Sequence, residues 1–236
     1  MVKEAIILAG GFGTRLQTVV ADVPKPMAPV NGKPFLQYIL DYCIQQGINS
    51  VVLSTGYKHE VIFNFFGSQY NSIQIQYARE NEPLGTGGAI QFALQKCTQE
   101  HVVVLNGDTF FNVDLQKLED EHQKAHSEFS IAAKKMYNFD RYGIIQTDQN
   151  RISAFEEKRA VNEGIINAGV YIIHRKKFLA LQLPQKFSME KDYMEKFFAS
   201  KPFYAFEFSG YFIDIGIPED YEKLQIDFRN STFLND

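Results

Sequence analysis

The sequence predicts an α/β protein of three layers, with a mostly parallel central sheet covered by helices on both faces. Short apolar runs alternate with longer segments of helical period through the first half of the chain. The runs AIILA (Ala5–Ala9), VVLS (Val51–Ser54) and VVVL (Val102–Leu105) are apolar without alternation. Such runs suit strands buried on both faces, as in parallel sheets, and not strands with one wet face. At 236 residues and 45% apolar content, the chain has enough material for one large core.

The elements follow in order. Ala5–Ala9 is the first buried strand, followed by Gly10 and Gly11. Lys33–Gln46 places Phe35, Leu36, Ile39, Leu40, Cys43 and Ile44 on one helical face, with Pro34 near its start and Gly47 just past its end. Val51–Ser54 is a strand, Lys58–Phe66 a short helix, Ile73–Tyr77 an alternating strand, Thr86–Lys96 a helix and Val102–Leu105 a strand. From about Phe129 the pattern changes. Ser130–Met136, Gly143–Thr147, Ile152–Glu156, Ile165–Ile173 and Phe203–Phe208 read as strands, interspersed with helices at His174–Leu181, Asp192–Ala199 and Pro218–Phe228. No linker interrupts the chain, so residues 1–228 are expected to form one domain, with a loose polar tail over 229–236.

Composition excludes several classes of function. Net charge is −4 and the basic residues are dispersed, so no nucleic-acid surface is marked. No stretch is long and apolar enough for a signal peptide or a membrane span, and the expected location is the cytoplasm. Cys43 and Cys97 fall on apolar faces of predicted helices and are expected to be reduced core residues.

The chemistry is concentrated in loops that follow strands. Open parallel sheets bind ligands at the C-terminal ends of their strands. Gly10–Arg15 and Asn106–Asp108 both follow apolar strands and should share that rim. In Gly10-Gly11-Phe12-Gly13-Thr14-Arg15, the glycines allow the backbone N–H groups to approach an anion, and Arg15 adds a permanently charged donor fork. The loop lacks the Gly-Lys-Ser/Thr ending of a Walker A motif, and Leu16 stands where a dinucleotide fingerprint needs its last glycine. A tight turn without a ligand would use the same letters. Lys25, however, is held between Pro24 and Pro26 ten residues after the loop, which favours a fixed phosphate ligand over a solvated surface charge.

The stretch LAGGFGTRL…PKPMAPV resembles the signature of the sugar-1-phosphate nucleotidyltransferases. The resemblance runs from Ala5 to about Tyr221. It includes Leu84-Gly85-Thr86-Gly87-Gly88-Ala89, Asn106-Gly107-Asp108, Glu156-Glu157-Lys158, Asn167-Ala168-Gly169 and Asp214-Ile215-Gly216-Ile217-Pro218-Glu219. It implies a Rossmann-like nucleotidyltransferase fold, with residues 1–128 as the nucleotide-binding half and 129–228 facing the sugar phosphate. It also implies condensation of a nucleoside triphosphate with a sugar 1-phosphate to give an NDP-sugar and pyrophosphate. Both reactants are anionic, so positioning and charge neutralisation dominate, and Mg²⁺ suits a site of carboxylate and phosphate oxygens.

Residue by residue, the resemblance makes Arg15, Lys25 and Asp108 catalytic and Asp108 and Asp214 the metal ligands. It puts Leu8, Ala9, Gly10, Gly11, Gly13, Thr14, Gly85, Thr86, Gly87 and Gly107 on the nucleotide, and Tyr142, Gly143, Glu157, Lys158 and Asn167 on the sugar phosphate. Small residues at Gly87-Gly88 favour a purine, hence GTP, although a plain glycine-rich helix start needs the same letters. Most members read L-x-P-x-T after the arginine, whereas this chain has Val19-Val20. That form resembles the branch that activates D-glycero-α-D-manno-heptose 1-phosphate. Mannose- or glucose-1-phosphate activation is the alternative within the class. A non-catalytic regulatory subunit is disfavoured, because it predicts loss of Arg15, Lys25, Asp108 or Asp214, and all four are present. Ser188 through Asp192 has the order of a capping box and is assigned no catalysis. A homo-oligomer is compatible with the sequence.

Overall fold

In the computed structural model, which describes residues 1–11, 20 and 23–230, β1 (Glu4–Leu8) sends Ala5 and Ile7 to one core and Ile6 to another. Side chains alternate between two buried faces, which is why EAIIL shows no polar alternation. A 3-10 turn (Lys25–Met27) and a small hairpin, β2 (Pro29–Val30) with β3 (Lys33–Pro34), lead into α1 (Phe35–Gln45). Then come β4 (Ser50–Thr55), α2 (His59–Phe66), β5 (Gln69–Tyr70), β6 (Ile73–Arg79), α3 (Gly85–Leu94) and β7 (His101–Asn106). The strands β7-β1-β4-β6 lie side by side, all parallel.

The second half contributes β8 (Thr109–Phe111), α4 (Leu115–Lys124), β9 (Phe129–Phe139), β10 (Ile144–Asp148), β11 (Arg151–Glu156) and β12 (Val161–His174). After α5 (Arg175–Leu179), a π-helical turn over Met189–Met194 runs into α6 (Glu195–Phe197), followed by β13 (Phe203–Glu207), β14 (Phe212–Asp214) and α7 (Pro218–Asn230). Among the described residues ten strands join in one sheet, ordered β10-β11-β13-β9-β12-β7-β1-β4-β6-β5. Helices α1, α2, α4 and α7 pack on one face, and α3, α5 and the Met189–Met194 turn on the other. These are the three layers expected.

The parallel character belongs to the first half. In the second, β12 runs antiparallel to both β7 and β9, β10 and β11 are antiparallel, and only β13 lies parallel to its neighbour β9 among these pairs. The sheet as a whole is therefore mixed. The cause is local for β10 and β11: Gln149 and Asn150 both take positive φ, 48° and 66°, as a two-residue hairpin turn demands. Helix α4 was not foreseen. Helix α7 continues to Asn230, and the rest of the expected tail, 231–236, lies outside the described residues. Cys43 and Cys97 are free and buried, and burial pushes both thiols up to about 12, as inert core residues should behave. The capping box holds: Ser188 Oγ accepts from Lys191 N, and Asp192 Oδ2 accepts from Ser188 N at 2.9 Å. Among the described residues no helix is long and apolar enough to cross a membrane.

At the start of β7, away from the binding rim, His101 Nδ1 lies 2.9 Å from His122 Nε2, and His122 Nδ1 lies 2.8 Å from Ser130 Oγ. His122 is fully buried, and burial followed by the charges of His101 and His174 lowers it from 6.5 to about 3. The folded state thus refuses a proton that the unfolded chain takes up below pH 6.5. Stability conferred by neutral His122 is present above that pH and is lost as pH falls from 6.5 toward 3, at up to about 1.4 kcal/mol per pH unit. Urea unfolding between pH 7 and 5 should therefore show a clear loss of stability in wild type and a flatter dependence in His122→Gln. Equal slopes would remove His122 from the acid response.

Candidate active site

The parallel strands end at one rim. Register places Leu8 of β1 beside Ser54 of β4 and Asn106 of β7. A cleft of about 620 Å³ opens there, lined by Leu8, Gly10 and Gly11 after β1, Ser54 at the end of β4, Glu80 beyond β6, and Asn106 and Asp108 at the end of β7. Lys25, Gly85 and Thr86 also line it. Arg15, Gly13 and Thr14 lie outside the described residues.

Two carboxylates converge beside this cleft by a non-local pairing. β14 runs antiparallel to β8, which sets Asp214 opposite Thr109, and Ile215 N donates to Asp108 O at 2.9 Å. Lys25 Nζ sits between them, 2.6 Å from Asp108 Oδ2 and 3.6 Å from Asp214 Oδ1. The Lys25 side chain is only 12% exposed, against 39% for Asp108 and 30% for Asp214. Its backbone is anchored as the two prolines predict: Pro26 and Met27 are buried, and Met27 N donates to Pro24 O at 2.7 Å. Burial, and next the Asp108 charge, raise the Asp214 carboxyl above its usual range, with Lys25 and the Gly216 N–H pulling the other way. The centre gathers negative charge and already draws one cation. Among the described residues no three His, Cys, Asp or Glu side chains converge on a common metal position. Two carboxylates meeting at one point, with phosphate or water beside them, are the kind of donor set that fits a hard divalent cation.

Several predicted positions serve the fold instead. Gly87 is buried away from the cleft; a Cβ there would stand 2.2 Å from the Phe187 ring, and on Gly88 2.3 Å from Gln185 O. These glycines admit the segment before Met189, so the helix start carries no independent sign of a purine. Gly107 donates to Leu8 O, and a Cβ on it would meet that oxygen at 2.4 Å. Ala9 is fully buried and donates to Ser54 O. Thr86 reaches the cleft, but its hydroxyl is engaged with Glu190 and Met189 N. Gly85, with φ +73°, needs glycine for its backbone as well as for space.

The sugar-facing positions are less gathered. Tyr142 packs its ring on Phe212, 5.9 Å between centroids, and its phenol is pushed up to about 12 by burial and by the Asp214 charge. Gly143 follows it, and a Cβ there would stand 2.9 Å from Glu156 O. Asn167 Oδ1 accepts from Gly169 N at 3.0 Å, at the register shift of β12, and Gly169 makes room for Asn106. Glu157 and Lys158 are exposed in the connection between β11 and β12.

Sequence reasoning missed Glu80. It follows β6 at the rim, as Gly10 follows β1, and the same rule applied to the strand at Ile73–Tyr77 would have found it. Its Oε1 accepts from Ser54 Oγ at 3.1 Å and its Oε2 from Leu84 N at 3.1 Å, so the carboxylate is held in place.

The two glycines of the rim separate by experiment. No described heavy atom lies within 4 Å of where a Cβ on Gly11 would stand, whereas Gly107 has no room. Gly11→Val should keep stability within about 0.5 kcal/mol and raise the KM for the nucleotide about tenfold or more. Gly107→Ala should cost about 1–3 kcal/mol of stability. Thermal unfolding and steady-state kinetics read both, and an unfolded Gly11→Val would show that this glycine serves the turn.

A rim of parallel strands carrying Gly10 and Gly11, a fixed lysine and two convergent carboxylates is what an α/β enzyme acting on phosphate anions requires. The Nucleotidyl transferase family model matches residues 4–231, and the chain belongs to that family. Over 96% of its length it is 52% identical to the D-glycero-alpha-D-manno-heptose 1-phosphate guanylyltransferase of Aneurinibacillus thermoaerophilus, covering 99% of that protein. The protein of the same name from Campylobacter jejuni subsp. jejuni serotype O:2 is 47% identical, with 92% of this chain and 96% of that one covered. The structure of HddC from Yersinia pseudotuberculosis complexed with GMP-PN superposes with a TM-score of 0.86 at 38% identity, covering 96% of this chain and all of that one. The chain is a nucleotidyltransferase of Rossmann-like α/β fold, and enzymes of this family work with a divalent metal.

Proposed function

We propose that this enzyme condenses GTP with D-glycero-α-D-manno-heptose 1-phosphate, releasing pyrophosphate, in the cytoplasm. A phosphate oxygen of the sugar attacks the α-phosphorus, the bond from that phosphorus to the bridging oxygen breaks, and pyrophosphate leaves. The observation that carries the reading is the rim, with Glu80 beyond β6 and the Lys25–Asp108–Asp214 centre beyond β7. These strands are the outer two of four, about 14 Å apart at ordinary strand spacing. That is the scale of a base, a ribose and a phosphate chain. Residues 1–128 then form the nucleotide half and 129–228 the sugar-facing half, with Tyr142, Gly143, Glu157, Lys158 and Asn167 toward the sugar phosphate.

Guanine presents two adjacent donors, N1–H and the N2 amino group, on one edge. A carboxylate accepts only, and each Glu80 oxygen has acceptor capacity beyond its one bond to Ser54 or Leu84. Uracil and thymine offer one donor, N3–H, between two carbonyl oxygens, so one Glu80 oxygen would face a carbonyl. The two relatives named as guanylyltransferases and the GMP-PN complex of HddC support the same base.

Asp108 and Asp214 would hold Mg²⁺, which supplies charge neutralisation for the phosphates when bound. Arg15 and Lys25 would meet phosphate oxygens, and Gly10 and Gly11 would let the backbone approach them. Pyrophosphate release, measured for four nucleoside triphosphates against a panel of sugar 1-phosphates, tests the reading. Within it, Glu80→Gln should lower kcat/KM for GTP relative to UTP by about tenfold or more. An unchanged ratio would place guanine recognition elsewhere.

A further inference from the structure

We propose that Lys25 is a tethered counter-ion that occupies the metal position until a triphosphate draws it away. The inference rests on the reading of Asp108 and Asp214 as metal ligands. The Asp108 carboxylate has one oxygen, Oδ1, accepting from Thr109 Oγ at 3.2 Å, and the other, Oδ2, accepting from Lys25 Nζ at 2.6 Å. Asp214 Oδ1 accepts from Gly216 N at 2.6 Å and faces the same ammonium at 3.6 Å. The lysine thus covers the Asp108 oxygen that Thr109 leaves open. A divalent ion bound directly to that oxygen at about 2.1 Å would stand beside the ammonium, and at such a separation the two cations would repel each other.

The lysine can leave without the backbone moving. Pro24, Pro26 and the buried Met27 fix its main chain, while four methylenes separate the charge from that anchor. Lys25 lines the cleft together with Gly10 and Gly11, where the triphosphate is assigned. A triphosphate there offers the ammonium a second and stronger anion. Its transfer uncovers Asp108 Oδ2 for the metal and places a cation on the phosphates in one motion. Metal and nucleotide then bind with positive coupling, and by linkage each tightens the other. In the absence of nucleotide the ammonium offsets one of the two carboxylate charges, and the enzyme takes up divalent ions weakly.

The test measures Mn²⁺ alone, without nucleotide, by electron paramagnetic resonance titration of wild type, Lys25→Met and Lys25→Gln, and of Lys25→Met combined with Asp108→Asn. Removing the tethered cation should tighten Mn²⁺ binding at least about tenfold in both single variants. The double variant should lose the gain. Saturating Mn²⁺ should also raise the melting temperature of Lys25→Met by more than that of wild type, since an ion that binds only the folded state stabilises it in proportion to its affinity. Unchanged or weaker Mn²⁺ binding in both single variants, or a gain that survives loss of Asp108, overturns the proposal. Failure of the two readings is distinguishable. Pyrophosphate release from GTP and a heptose 1-phosphate with no change in Mn²⁺ affinity removes the counter-ion and keeps the function. Tighter Mn²⁺ binding in an enzyme that turns over no such pair does the reverse.

Discussion

Asp108→Asn is expected to fold as wild type does and to turn over at least about 10³-fold more slowly. The fold should survive because the side chain is 39% exposed and its partners, Lys25 and Thr109, are polar and local to the rim. Asparagine keeps an oxygen to accept from either. A partly exposed ion pair contributes at most about 1 kcal/mol to stability. Relief of the repulsion with Asp214, which helps to raise that carboxyl, offsets part of the loss. Turnover should fall because one of two charges is lost where an anionic nucleophile meets an anionic phosphate. A factor of 10³ corresponds to about 4 kcal/mol of transition-state stabilisation, within what a bound divalent ion supplies. EDTA should act on wild type in the same direction. Full turnover in EDTA, or an Asp108→Asn enzyme within tenfold of wild type, would sink the two-carboxylate metal site.

The parts of this enzyme that can be read from its sequence are those whose cause is local. The runs at β1, β4 and β7 announce strands because both faces of each are buried, leaving nothing polar to interrupt them. Pro24 and Pro26 announce a fixed Lys25 because proline acts on its own chain. The missed helix α4 shows the opposite case. Its buried positions are Leu115, Leu118, Glu119 and His122, a helical stripe in which half the members are polar. Glu119 accepts from Val2 N at 2.7 Å and His122 bonds Ser130, so their burial depends on partners that no window around α4 contains. The glycines of α3 were readable as glycines but not as to purpose. Phe187, a hundred residues later in the chain, decides that Gly87 is packing. The two carboxylates that meet at Lys25 were legible as two separate loops, but the β8–β14 pairing that joins them spans three residues on each side. Glu80 lay three residues beyond a predicted strand, and its place in the cleft and its contacts with Ser54 and Leu84 mark it as part of the rim.

With GTP as donor, D-glycero-α-D-manno-heptose 1-phosphate should be used with a kcat/KM at least tenfold and up to about 10² above that for mannose 1-phosphate. The heptose is mannose extended by one carbon with its hydroxyl. Spare room for an extra methylene discriminates weakly. A site that hydrogen-bonds the added hydroxyl discriminates more, because mannose leaves its buried polar groups unpaired. The positions assigned to the sugar favour the second case. Tyr142, half-buried, sets a phenol near Asp214 and beside Arg141, and Asn167 is a half-buried amide. The kinetic form of the preference carries further information. If the extra hydroxyl only adds affinity, KM alone should differ between the two sugars. If it also orients the phosphate toward the α-phosphorus, mannose 1-phosphate should show a lower kcat at saturation. We expect both changes, since one rigid pyranose ring joins the phosphate that attacks to the side chain that carries the added hydroxyl. Pyrophosphate release at saturating GTP, with each sugar 1-phosphate varied in turn, reads kcat and KM separately. Comparable kcat/KM for the two sugars, or a clear preference for UTP or dTTP, would remove the heptose assignment and leave nucleotidyl transfer standing.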